Sequence, residues 1–103
     1  IEEDNLPDAI RKAGDLLGHL HVGEGNRKLP GRSKGSMPWA EMGEALREIN
    51  YNKCVVAEPF LLAGGKVGAD IKVWRDLSNG ADDEQMDKYL TESMKFLKEK
   101  FVG

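Results

Sequence analysis

The sequence predicts an α/β fold built on parallel strands, and three observations carry that prediction. Two short apolar runs, residues 18–22 and 54–60, have the length and the bounding glycine or proline of buried strands. Between them, residues 38–49 repeat apolar side chains at helical spacing, which is the pattern of a βαβ unit with a right-handed crossover. Each run is followed by a glycine-bearing connection longer than ordinary loops, and such loops often carry function.

Taken in order, residues 6–17 place Leu6, Ile10, Ala13 and Leu17 on one helical face, with Asn5 as a cap, Pro7 in the first turn and an end near Gly18. Gly-His-Leu-His-Val at 18–22 then reads as a short strand. Residues 23–37 hold Gly23, Gly25, Pro30, Gly31 and Gly35 without an apolar period and form a loop. Pro38 opens a second helix, because its missing N–H costs nothing in a first turn. Trp39, Met42, Leu46 and Ile49 make that helix's apolar face, and Asn50 is its terminator. Cys-Val-Val-Ala-Glu-Pro-Phe at 54–60 reads as a second strand closed by a proline. Residues 61–81 form another long connection, with a helical turn expected at 71–77. The last helix begins near Asp82, where Gln85 completes a capping box, and Met86, Leu90, Met94, Leu97 and Phe101 form its stripe.

A parallel sheet needs both faces covered and several neighbours, so two strands with three helices make a poor isolated domain. Further strands are expected from a longer chain or from other copies. The first residue is Ile rather than Met, which fits a piece of a longer polypeptide.

Composition narrows the function classes. Of 103 residues, 40% are hydrophobic and 32% charged, which argues for a folded chain rather than a disordered one. No apolar run approaches the roughly 20 residues that cross a bilayer, and no signal peptide is visible, so the expected location is cytoplasmic, without a membrane partner. The net charge of -3 argues against a nucleic-acid binder. The one cationic stretch, Arg27, Lys28, Arg32 and Lys34 against Glu24, is too small to change that. A single cysteine, Cys54, excludes an internal disulfide and reads as a buried core thiol in a reducing compartment.

Chemistry concentrates at the strand ends. His19 and His21 share one face of a strand by their spacing, and Glu58 ends the neighbouring one, so His21 and Glu58 can meet at a common edge. Imidazole and carboxylate suit Mn2+, Co2+, Zn2+ or Fe2+, but two ligands leave a site incomplete. A strand-end histidine also serves ordinary structural purposes. Glu58 is the stronger candidate, because a carboxylate amid Val-Val-Ala and Pro-Phe is badly placed as a solvated residue. Arg27, just past the first strand, offers a fork of donors for paired oxygens, or is simply a solvated loop residue. Glu24 is either a partner of His21 or Arg27 or faces solvent. Trp39 fits its helix's core stripe, Phe60 suits core or pocket, and Trp74 reads as packing for the second loop. The glycines at 23 and 25 form neither a dinucleotide fingerprint nor a P-loop.

These residues together resemble a known family. Gly18-His-Leu-His-Val-Gly-Glu-Gly-Asn-Arg27, Pro30-Gly31, Gly35-Ser-Met-Pro-Trp39, Val55-Val-Ala-Glu-Pro-Phe60 and Gly68-Ala-Asp-Ile-Lys-Val-Trp-Arg-Asp-Leu-Ser-Asn-Gly80 are similar to the C-terminal part of the D-tagatose 3-epimerase and D-psicose (D-allulose) 3-epimerase family. The resemblance covers nearly the whole sequence and implies the C-terminal part of a (β/α)8 TIM barrel, xylose-isomerase-like and incomplete here. Residues 1–103 would then run from the helix after the sixth strand, through strands seven and eight, to the eighth helix. The implied activity is epimerisation at C3 of ketohexoses, of the D-fructose/D-psicose or D-tagatose/D-sorbose type, through a metal-stabilised cis-enediolate. By motif position His21 looks like a metal ligand, and Glu58 like a ligand that is also an acid/base group at C3. Arg27 looks like a substrate-binding residue, and His19 has no such role. The implied cofactor is a divalent metal, Mn2+ or Co2+ with Mg2+ as a further option, and the implied assembly a homodimer or homotetramer. The family's remaining site residues lie upstream of Ile1, so these 103 residues alone are expected to be inactive. The loop at 31–35 looks slightly longer than is usual for the family. Two alternatives stay open: another xylose-isomerase-like sugar isomerase, and a noncatalytic fragment acting in binding or assembly.

Overall fold

The computed structural model describes residues 2–35 and 37–102, so Ser36 of the first loop lies outside the described residues. Helix α1 spans Leu6–Ala13, strand β1 Leu20–Val22, helix α2 Trp39–Glu48, strand β2 Val55–Ala57, helix α3 Gly65–Asp70 and helix α4 Asp83–Phe101. The two strands are parallel, with Leu20 opposite Val55, His21 opposite Val56 and Val22 opposite Ala57. The βαβ unit is present, and the strands are shorter than the apolar runs that predict them.

Asn5 caps α1 by accepting the Asp8 amide at 3.0 Å, and Pro7 sits in the first turn. The helix stops at Ala13, earlier than expected, because Gly14 turns to a φ of 50°. A short 3-10 turn, Gly14–Leu16, follows, which leaves Leu16 in solvent while Leu17 still packs on the core. Pro38 precedes α2 rather than occupying its first turn. Asn50 ends α2 with a φ of 54°, while the amides of Asn50 and Tyr51 bond back to the Arg47 and Leu46 carbonyls. Asp82 and Gln85 close the expected capping box on α4. The helical turn expected at 71–77 lies instead at Gly65–Asp70. It is braced by a Lys66–Asp70 ion pair and ended by Lys72 in the left-handed region.

The core is the contact of α2 with α1 on one side and α4 on the other. Ile10, Val22, Trp39, Met42, Ala45, Leu46, Leu97 and Phe101 are buried there, and Leu20, Val55 and Ala57 pack against them from the sheet. Gly43 lets α4 come so close that a Cβ would collide with the Lys100 carbonyl. From the same helix, Arg47 Nη1 donates to the Lys100 and Phe101 carbonyls at 3.0 and 3.2 Å, satisfying the end of α4.

Two expected core assignments are corrected. Cys54 is exposed, because β2 begins only at Val55. On α4 the buried face is Ser93, Leu97 and Phe101, whereas Leu90 and Met94 stand outside the core. Ser93 donates its hydroxyl to the Pro30 carbonyl at 2.7 Å, so this face grips the first loop. Among the described residues no helix is long and apolar enough to cross a membrane.

Candidate active site at the strand ends

The core lies against one face of the two-stranded sheet, and His21 and Glu58 sit on the other. Alternation along β1 sends Leu20 and Val22 to the core and His21 to the open side, and along β2 it sends Val56 and then Glu58 the same way. His19 shares that side, its ring edge-on to His21 with centroids 4.8 Å apart. Glu58 follows the last residue of β2, and the parallel register brings its Oε2 to 3.2 Å from His21 Nδ1.

Both side chains remain more than half exposed, at 54% and 59%. Within these 103 residues, then, Glu58 is not the buried carboxylate that the apolar run around it suggests. The pair forms part of the wall of a cavity of about 1020 Å3. Its apolar lining includes Leu6, Ile10, Leu20 and Met42. An imidazole and a carboxylate in contact are a donor pair of the kind divalent metals take. Among the described residues no group of three or more His, Cys, Asp or Glu comes together.

Arg27 is placed differently. It occupies the left-handed region at φ 69°, and its carbonyl accepts the Phe60 amide at 3.0 Å, two residues beyond Glu58. Its guanidinium donates to the Ile71 carbonyl at 3.4 Å and lies 6.0 Å from the centre of the Phe60 ring. The backbone thus ties Arg27 to the Glu58 segment, while its head turns toward the second long loop and does not line the cavity.

Glu24 is the residue whose position sequence reasoning missed. It neither faces solvent nor meets the side chains of His21 or Arg27. It is buried, and its Oε1 accepts the Gly31 amide at 2.9 Å and Trp39 Nε1 at 3.1 Å. A signal existed: a buried Trp needs an acceptor for its N–H, and Glu24 is the only carboxylate in the loop before it. The cationic stretch is partly tied down, with Arg32 bonded to Glu92 at 2.9 Å and stacked on Tyr89. Trp74 does not pack the second loop as expected; it is 79% exposed beside Arg75.

Parallel strands joined through a helix, with imidazole and carboxylate at their C-terminal edge, are the repeating unit of a (β/α)8 barrel and put the polar groups at the edge where such barrels carry their sites. No family model matches the chain. It is 58% identical over 96 residues to a D-psicose 3-epimerase of Agrobacterium fabrum, a match covering 93% of this chain and 32% of that protein. It superposes with a TM-score of 0.92 at 55% identity on the crystal structure of a D-psicose 3-epimerase solved in the presence of D-fructose, covering 99% of this chain and 35% of that one. A second such enzyme, from Clostridium cellulolyticum with D-tagatose, gives 0.91 at 54% identity, covering 98% and 34%. The chain belongs to the D-psicose 3-epimerase family and spans about a third of the length of these relatives.

Proposed function

We propose that this chain is the C-terminal part of a cytoplasmic, metal-dependent ketose 3-epimerase, supplying strands seven and eight of the barrel with their helices. The observation that carries the reading is the 3.2 Å contact between His21 and Glu58 at the ends of adjacent parallel strands. These two residues would hold a divalent cation, Mn2+ or Co2+, with further ligands from the rest of the barrel. Bound there, the cation supplies Lewis-acid polarisation of a ketose C2 carbonyl, which acidifies the proton on C3.

Glu58 is then one of two carboxylates that remove a proton from C3 and return one on the opposite face, inverting that carbon. His21 holds the Glu58 carboxylate in place through Nδ1. Arg27 contributes a planar fork of donors for the sugar's oxygens. For that its head must leave the Ile71 carbonyl, a single 3.4 Å bond. The substrate class, ketohexoses such as D-fructose and D-tagatose, follows the sugars found with the two solved relatives. A homodimer or homotetramer is the proposed assembly.

The test is conversion of D-fructose to D-psicose by the polypeptide carrying this chain at the relatives' full length, with added Mn2+ or Co2+. Glu58→Gln is expected to lower kcat by about 100-fold or more, the scale of a lost general acid/base. Wild-type turnover that survives this substitution within a few-fold would remove Glu58 from the chemistry. The 103 residues alone are expected to show no turnover.

A further inference from the structure

Glu24 sits where three separate pieces of the site's framework meet. Its backbone closes the turn that presents Arg27: the Arg27 amide donates to the Glu24 carbonyl at 3.0 Å, and the Glu24 amide donates to the Lys28 carbonyl at 3.2 Å. Its side chain joins two more pieces through Oε1, the far limb of the loop at Gly31 and the first turn of α2 at Trp39. Gly31 is itself held against the Phe96 ring of α4, and the Arg27 carbonyl is held by Phe60, just past Glu58. A buried carboxylate with 7% exposure thus links the core tryptophan to the turn that carries Arg27.

We infer that Glu24 is a positioning residue for substrate binding, acting through Arg27. The inference rests on the epimerase reading above. A solvated loop of this length would sample many conformers, and each would move the backbone from which the Arg27 side chain reaches out. Bonds from a buried carboxylate to a backbone amide and an indole N–H remove that freedom before substrate arrives. Glu24 touches no reacting atom. Its loss should therefore weaken binding and leave the proton-transfer step nearly intact.

The experiment is a double-mutant cycle in the full-length metal-loaded enzyme, with KM and kcat read separately. Glu24→Ala is expected to raise KM for the ketose by about tenfold, the scale of one or two lost charge-assisted hydrogen bonds, with kcat within about threefold. Glu24→Gln keeps an acceptor oxygen for Gly31 and Trp39 and is expected to restore most of the binding. In an Arg27→Ala background, Glu24→Ala is expected to change KM by less than about twofold, because the residue it acts through is gone. If the two substitutions multiply in full, Glu24 does not act through Arg27 and the inference is overturned. A fall in kcat alone with KM unchanged overturns it too. Should Glu24→Ala fail to fold, the cycle is run with Trp39→Phe, which removes the indole donor to Glu24, leaves the Gly31 amide and keeps a ring in the core. Absence of ketose turnover in the wild type refutes the epimerase reading itself, whereas the outcomes above refute only the role of Glu24.

Discussion

Asp76 organises the end of the second loop by itself. Its Oδ1 accepts the Ser78 hydroxyl at 2.6 Å and the Ser78 amide at 2.7 Å, and its Oδ2 accepts the Gly80 amide at 3.2 Å. These bonds favour the charged form and hold the carboxyl below its ordinary value, the Ser78 hydroxyl contributing most and the Ser78 and Gly80 amides following. Because the folded value is depressed, the contribution to stability is complete above the unfolded carboxyl's value and is lost as pH falls through the folded one. Acid titration followed by NMR should therefore move the Ser78 and Gly80 amide resonances with a midpoint below that of an ordinary Asp. Asp76→Asn should abolish that step, and a midpoint at or above the ordinary value would contradict this account. The Asp-Leu-Ser-Asn-Gly run at 76–80 is a readable side-chain turn. It escapes a reading that looks only for helix and strand periods. His21 and Glu58 were legible because strand spacing and parallel order fix where both must lie. The use made of Glu24 was not, since it depends on Gly31 and Trp39, seven and fifteen positions away.

At the scale of elements, the tightest constraint is the crossing of α2 and α4 at Gly43. A methyl group there meets backbone, which cannot swing aside as a side chain can. Gly43→Ala is expected to cost about 1–3 kcal/mol or more, the range for overpacking, despite alanine's better helix propensity. Urea unfolding monitored by circular dichroism would measure it, and an unchanged or raised midpoint would mean the helices can separate freely. Elements with a local chemical signature were read well: the Asn5 cap, the Asn50 terminator and the Asp82–Gln85 box all occur where expected. The misplaced element was α3. Gly64 and Gly65 look like breakers, yet Gly65, at φ 71°, is where the chain turns into the helix. The exit is set by Lys72 in a left-handed conformation, with the Val73 amide bonded to the Gly68 carbonyl at 2.8 Å. No periodicity announces a non-glycine residue in that region, and six residues are too few to show an apolar stripe.

At the scale of the whole molecule, the sheet packs on the core with one face and leaves His21 and Val56 exposed on the other. The molecule's apolar trough, which includes the half-buried Leu6, Leu17 and Leu20, is open where a barrel would close over it. The 103-residue chain alone is expected to enhance the fluorescence of an apolar dye such as ANS. The full-length polypeptide should do so far less, and equal enhancement would show that the trough stays open there too. The contact between α4 and the first loop also bears on the order of events during synthesis. Ser93 holds the Pro30 carbonyl across 63 positions, and Phe96 lies against Gly31. On the ribosome, the loop that presents Arg27 emerges long before the helix that clamps it. It must remain unclamped until α4 has left the exit tunnel. A chain stalled before residue 93 would carry His21, Arg27 and Glu58 in full and still lack that clamp on the loop. For this protein, the time at which the loop is secured is set by the synthesis of α4, not of the loop itself.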